Sequence, residues 1–143
     1  MSTLIKILIS LAISYNSIEV KSEYQSLTQE KTLEQSIKDG QWVYKEFCVR
    51  CHLPSGKGVS GVYPPLAKSD WLISKIDKSI ASIKYGLKGK IVVNGVTYNN
   101  VMTAQGLSDE EVADVMNYIM NSWGNTQEEM VTVEKVKSIE KNN

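Results

Sequence analysis

Cys48-Val49-Arg50-Cys51-His52 decides how the rest of this sequence is read. Two thiols three positions apart, followed at once by an imidazole, form the pattern that holds a c-type haem: both sulfurs bond the porphyrin vinyl groups while the histidine reaches the iron. The stretch uses both cysteines and the only histidine of the chain. No thiol is left for a disulfide elsewhere, and a second axial ligand from this chain has to be something other than histidine.

Competing readings of the same five residues fare worse. A structural zinc site needs four soft or imidazole ligands, usually from two pairs, and only two cysteines and one histidine are present. A thioredoxin-like dithiol belongs in a strand-to-helix turn of an alternating strand and helix pattern, which is absent. A plain disulfide leaves the histidine unexplained. The cofactor expected is therefore one haem c, covalent through Cys48 and Cys51, with His52 on the iron.

Working outward, 143 residues make one domain with a modest core, and a chain of that size gains from a large apolar group at its centre. The composition is 42% hydrophobic, with one Phe, seven Tyr and three Trp, which is globular. A formal net charge of zero argues against a general nucleic-acid binder. Residues 1–14 carry an apolar run (Leu4 to Ile13, broken by Lys6) that is shorter than the roughly 20 residues needed to cross a bilayer. It suits an export signal, with Ala12-Ile13-Ser14 as a cleavage pattern. No transmembrane span is expected in the mature chain. Residues 15–31 are polar with alternating charges, as in a linker.

From Thr32 the pattern becomes helical. Thr32 and Gln35 form a capping box, and Leu33, Ile37, Gly40, Tyr44, Phe47, Cys48 and Cys51 predict one stripe with the thiols at its far end. Gly40 on that stripe suggests the close approach of another backbone. Leu53 to Leu66 is too rich in glycine and proline for regular structure and predicts a loop that wraps the haem edge. A ligating imidazole normally donates its other N–H to a fixed acceptor, and a carbonyl in the Pro64-Pro65 region suits that role.

Ser69 or Asp70 caps a short turn, and a second helix runs roughly from Asp77 to Tyr85 and stops at Gly86. Asn94-Gly95 between β-branched runs predicts a small hairpin and no larger sheet. Met102 then stands in a loop without helical period, whereas Met116 and Met120 fall on the apolar stripe of the last helix as core fillers. Met102 is the candidate axial sulfur. Ser108 and Glu111 open that last helix as a second capping box, followed by Val112, Val115, Met116, Ile119, Met120 and Trp123 at offsets of three and four. Gly124-Asn125 ends it. The remainder, 126–143, is a charged C-terminal extension with a short helical turn at Val133 to Ile139.

These residues resemble a class I monohaem cytochrome c, of the kind found as small domains of bacterial respiratory chains beside or fused to dehydrogenases and nitrite reductases. The resemblance rests on the attachment motif and on Gly40, Tyr44, Pro64-Pro65-Leu66-Ala67-Lys68-Ser69-Asp70, Gly86-Leu87-Lys88-Gly89, Asn94 to Asn99, Met102, Leu107 to Glu111, Tyr118 and Ser122 to Asn125. It implies an all-α cytochrome c fold over residues 32–125, with three to five helices around a covalently bound haem and one small β-hairpin. It implies axial ligation by His52 and Met102, with Pro64, as acceptor for His52, and Leu66 among the cofactor-binding residues. It also implies that Gly40 and Tyr44 meet the turn bearing Tyr118. One departure concerns the ligand loop: relatives of this kind commonly carry proline directly after the methionine, and here the residue is Thr103.

The expected function is single-electron transfer, with no bond chemistry, as a carrier or cytochrome subunit between a dehydrogenase or quinol-oxidising complex and a terminal oxidase or reductase. The alternatives are a haem sensor or weak peroxidase in which Met102 is displaced by a gas or peroxide, and a structural haem domain bridging larger subunits. Haem attachment in such proteins implies the periplasm. Between Lys57 and Lys90 there are seven lysines against Asp70 and Asp77, whereas the chain from Gln105 onward carries eight acids and three lysines. That asymmetry suits a monomer, or a subunit of a complex, that meets redox partners with acidic docking surfaces.

Overall fold

The computed structural model describes residues 31–141; the segment 1–14 and all but the last residue of 15–31 lie outside the described residues. Helix α1 begins as an α-helix over Leu33–Val43, passes through a π-helical turn over Tyr44–Cys48 and finishes as an α-turn over Val49–His52. Its start is the expected capping box: the Thr32 hydroxyl accepts from Gln35 N–H at 3.2 Å, and the Gln35 side chain accepts from Thr32 N–H at 3.0 Å. Ser36, Gly40 and Tyr44 are its buried face.

The π-turn corrects the expected stripe. Val49 N–H donates to Tyr44 C=O, five residues back, so one turn holds an extra residue and the phase of the helix slips. Phe47 therefore faces out, 46% exposed, and Cys51 is exposed, while Cys48 and Val49 pack against the core.

Helix α2 (Asp70–Ser74) is capped by the Ser69 hydroxyl, which accepts from Leu72 N–H at 3.2 Å. Helix α3 (Ile76–Tyr85) buries Ile80 and Ile83 and ends at Gly86, whose φ of +82° a side chain would strain. Strands β1 (Ile91–Val93) and β2 (Val96–Tyr98) pair antiparallel with Val93 opposite Val96. Asn94 and Gly95, both at positive φ, make the tight turn between them. Asn94 also exchanges two hydrogen bonds with Asp70, fastening the hairpin to the start of α2.

Helix α4 (Asp109–Met120) opens on the Ser108–Glu111 capping box. It is buried on more than one face, because Ala113, Asp114 and Asn117 are covered as well as the apolar stripe. The cover is α1. A Cβ at Gly40 would stand 1.9 Å from Asp114 O and 2.9 Å from Tyr118 Cβ, so the two helices meet backbone to backbone. Beside that contact Tyr44, Tyr118 and Trp123 form an aromatic trio with ring centroids 5.0 to 5.5 Å apart.

A buried polar network ties the same crossing. Ser36 Oγ donates to Asp114 Oδ1 at 2.7 Å, and the other carboxylate oxygen pairs with Lys31 Nζ at 2.6 Å. Burial alone would lower the Lys31 pKa, but Asp114, Asp39 and Glu110 outweigh it and hold the ammonium above the ordinary lysine value. Asn117 donates to Ser36 Oγ and to Val131 O, and its own oxygen accepts from Val131 N–H at 2.8 Å. Asn117→Ala strands buried partners on both sides, and we expect a loss of about 3 kcal/mol, read as a lowered urea midpoint at unchanged slope.

Helix α5 (Val133–Ser138) completes five helices and one two-stranded sheet among the described residues, the all-α arrangement with a small hairpin that the sequence implied. The charged segment 126–143 thus brings Val131 and Val136 into the core. Lys84 Nζ donates to Val136 O at 2.8 Å and Tyr85 OH to Ile139 O at 2.9 Å, joining α5 to α3. Among the described residues no helix is long and apolar enough to cross a membrane.

Candidate haem site

Cys48, Cys51 and His52 occupy the last turns of α1. Leu53, at φ +63°, ends the helix sharply, and its carbonyl accepts from Tyr44 OH at 2.7 Å. The chain then returns over the histidine. Gly58 N–H donates to His52 O at 3.0 Å, while Leu66 and Ala67 N–H both donate to Gly56 O. A Cβ at Gly58 would lie 2.3 Å from Tyr63 O and 2.6 Å from Pro64 O, so only glycine lets that strand of loop close. The closure places Pro64 O 3.0 Å from His52 Nδ1, which donates to it.

That hydrogen bond sets the tautomer. With the proton on Nδ1, Nε2 carries the lone pair a metal needs. Burial, partly opposed by the Pro64 hydrogen bond, lowers the His52 pKa, which favours the neutral ring over the charged one. Burial, with Cys51 nearby, pushes the Cys48 thiol up to about 11. Redox dithiols need the opposite shift, which weighs against that reading of the pair.

Cys48, His52, Pro64, Leu66 and Met102 all line one cavity of roughly 80 Å³, walled by Leu72 and Ile83 from α2 and α3, by Val93 of β1, and by Val115 and Ile119 of α4. Cys51, His52, Pro64 and Met102 line an adjoining cavity of roughly 70 Å³ that opens past Val62 and Val101, both exposed. Apolar walls around a few convergent donors are the make-up of a cofactor site. Thiols and a neutral imidazole from one short stretch, with a thioether on the same lining, are a donor set that fits a covalently attached haem. Among the described residues no three His, Cys, Asp or Glu side chains converge on a metal site of another kind.

Contributors the sequence did not single out are the hairpin wall, Val115 and Ile119 as lining residues, and Leu87. Leu87 exchanges two backbone hydrogen bonds with Met102, N–H to Met102 O at 2.8 Å and O from Met102 N–H at 3.0 Å. Only its place in the Gly86-Leu87-Lys88-Gly89 run of the resemblance hinted at a role.

Five helices, one hairpin and an apolar slot carrying a paired-thiol attachment motif define a haem protein of the electron-transfer class. The chain belongs to the cytochrome c family, whose model matches residues 37–123. It is 36% identical over 110 residues to cytochrome c-552 of Thermus thermophilus, covering 71% of this chain and 83% of that one. It is 34% identical over 106 residues to the gluconate 2-dehydrogenase cytochrome c subunit of Pantoea cypripedii, and 30% identical over 104 residues to the cytochrome c subunit of the quinone alcohol dehydrogenase of Gluconobacter oxydans. The matched regions cover 71% and 70% of this chain but only 24% and 21% of those subunits.

Proposed function

We propose that this cytochrome c carries single electrons through one haem anchored at Cys48 and Cys51 and ligated by His52 and Met102. The observation that carries the reading is that His52 and Met102 line both adjoining cavities, with the His52 Nδ1 proton already committed to Pro64. When bound, haem would supply a one-electron couple, whose potential a thioether ligand would raise. The chain's own residues do the rest. Pro64 fixes the imidazole, the walls of Leu72, Ile83, Val115 and Ile119 would exclude water, and Met102 would offer its thioether as the second ligand.

The carrier works between a dehydrogenase or quinol-oxidising complex and a terminal oxidase or reductase, in the periplasm. The dehydrogenase cytochrome subunits among its relatives favour that placement. So does an open cleft beside Met102 lined by Lys78, Lys88, Lys90 and Lys141 and by no carboxylate, a surface matched to an acidic partner. A sensor or peroxidase, in which Met102 leaves, has Thr103 in its favour and the doubly hydrogen-bonded Leu87–Met102 pair against it.

The test is the ferric spectrum. The weak near-red sulfur-to-iron band is expected in the parent and absent in Met102→Ala, whose reduction potential falls by on the order of 0.1 V or more, within the span that axial ligands set. A parent spectrum without that band overturns Met102 as ligand.

A further inference from the structure

Met102 sits in a loop that lacks proline after the ligand, yet its backbone is held at both ends by the terminus of α3. Leu87 pairs with it in both directions, and further along Gln105 N–H donates to Ile83 O at 3.3 Å. Between those two attachments lies Gly86. A Cβ there would stand 2.7 Å from Met102 O, 3.0 Å from Ala104 N and 3.4 Å from Thr103 C, so the main chain on both sides of Thr103 rests directly on the space that Gly86 leaves open. Backbone cannot rotate away as a side chain can. Any side chain at 86 has to push the 102–104 segment outward, and Met102 is the residue that moves with it.

We propose that Gly86 is a positioning residue for the sixth ligand, seating the Met102–Ala104 backbone against the end of α3 in place of the bracing that Thr103 does not give. This rests on Met102 being that ligand. Gly86 makes no contact with the iron site itself. It acts through the Leu87–Met102 backbone pair, whose geometry depends on the approach that a bare Cα permits.

A control outside the cavities is available in the ligand loop itself. Gly106 also has positive φ, +71°, but a Cβ there meets nothing within 4 Å. Gly86→Ala and Gly106→Ala both put a side chain at positive φ, the first at ψ 170° where glycine is strongly favoured, and only the first collides with the Met102–Ala104 backbone. The experiment matures both variants and the parent with haem attached, confirms attachment by intact mass, and titrates the ferric proteins with imidazole while following the near-red band. Gly86→Ala is expected to weaken or lose the band and to bind imidazole about tenfold more tightly than the parent, with Gly106→Ala close to the parent. Band and affinity in Gly86→Ala that match Gly106→Ala overturn the proposal while leaving Met102 as ligand. A parent without the band removes the ligand assignment itself. Should Gly86→Ala fail to accumulate, amide hydrogen exchange on the parent decides. Leu87 and Met102 N–H are expected to be protected together and to lose protection together on saturation with imidazole; exchange as fast as that of exposed loop amides overturns the seating.

Discussion

Gly40→Val is expected to leave no cooperatively folded protein. In an exposed helix, replacing glycine with a residue that has a Cβ gains up to about 1 kcal/mol from propensity, so the sign of the effect is a contest. Here the opposing term is steric and its obstacle is main chain. The first added atom alone would lie 1.9 Å from Asp114 O and 2.4 Å from Asp114 C. Overpacking against side chains that can yield costs ~1–3 kcal/mol, and a backbone that cannot yield raises that further. Moving α1 off α4 also draws Ser36 away from Asp114 and Asn117, parting a buried network whose members have no water to turn to. Together these losses approach the roughly 5–15 kcal/mol that holds a domain folded. Far-UV circular dichroism with urea titration checks this: the expected variant shows no unfolding transition, and one within about 1 kcal/mol of the parent would contradict the backbone contact.

Cys48→Ser/Cys51→Ser is expected to abolish covalent attachment, and with it part of the stability. The cavity lined by Cys48, Leu72, Ile83, Val115 and Ile119 holds roughly 80 Å³ of unfilled space. Leucine-to-alanine series put the cost of unfilled space near 24 cal/mol per Å³, so leaving it unfilled costs about 2 kcal/mol. The walls come from α1, α2, α3, β1 and α4, so no single element can collapse inward without pulling on the others. Serine offers no sulfur to anchor the porphyrin, and release by dilution then competes with burial. The variant is expected to lose its haem under denaturing conditions and to show fluctuating tertiary structure without it, seen as weak near-UV circular dichroism with helical far-UV signal retained. A double variant that keeps haem through denaturation would contradict the assignment of the two thiols.

Much of this arrangement was legible in the chain because its signals are local. Thr32 with Gln35 and Ser108 with Glu111 mark helix starts within four residues, Asn94-Gly95 marks the hairpin, and Cys48 to His52 carries its chemistry in five positions. What escaped is non-local or phase-dependent. Nothing in Tyr44-Lys45-Glu46-Phe47-Cys48 announces a π-turn, and without it the spacing puts Phe47 on the buried stripe. The apolar stripe of α4 matches the spacing from Val112 to Met120, but the helix stops there, short of Trp123 and Gly124, and the burial of Asp114 and Asn117 follows from α1 lying on a second face, which Gly40 hinted at without naming the partners. In the charged tail, Val131 and Val136 are too few to make a pattern, and their burial is secured by Asn117, Lys84 and the rest of the core around them. The Leu87–Met102 pair joins backbone across fifteen positions, and backbone pairing of that kind leaves no mark in residue type.

Intact mass of the matured protein under denaturing conditions, with thiol alkylation, tests the central claim most directly. The account predicts the mass of the chain plus one haem, with neither Cys48 nor Cys51 open to alkylation; a bare chain whose two cysteines both alkylate would contradict it.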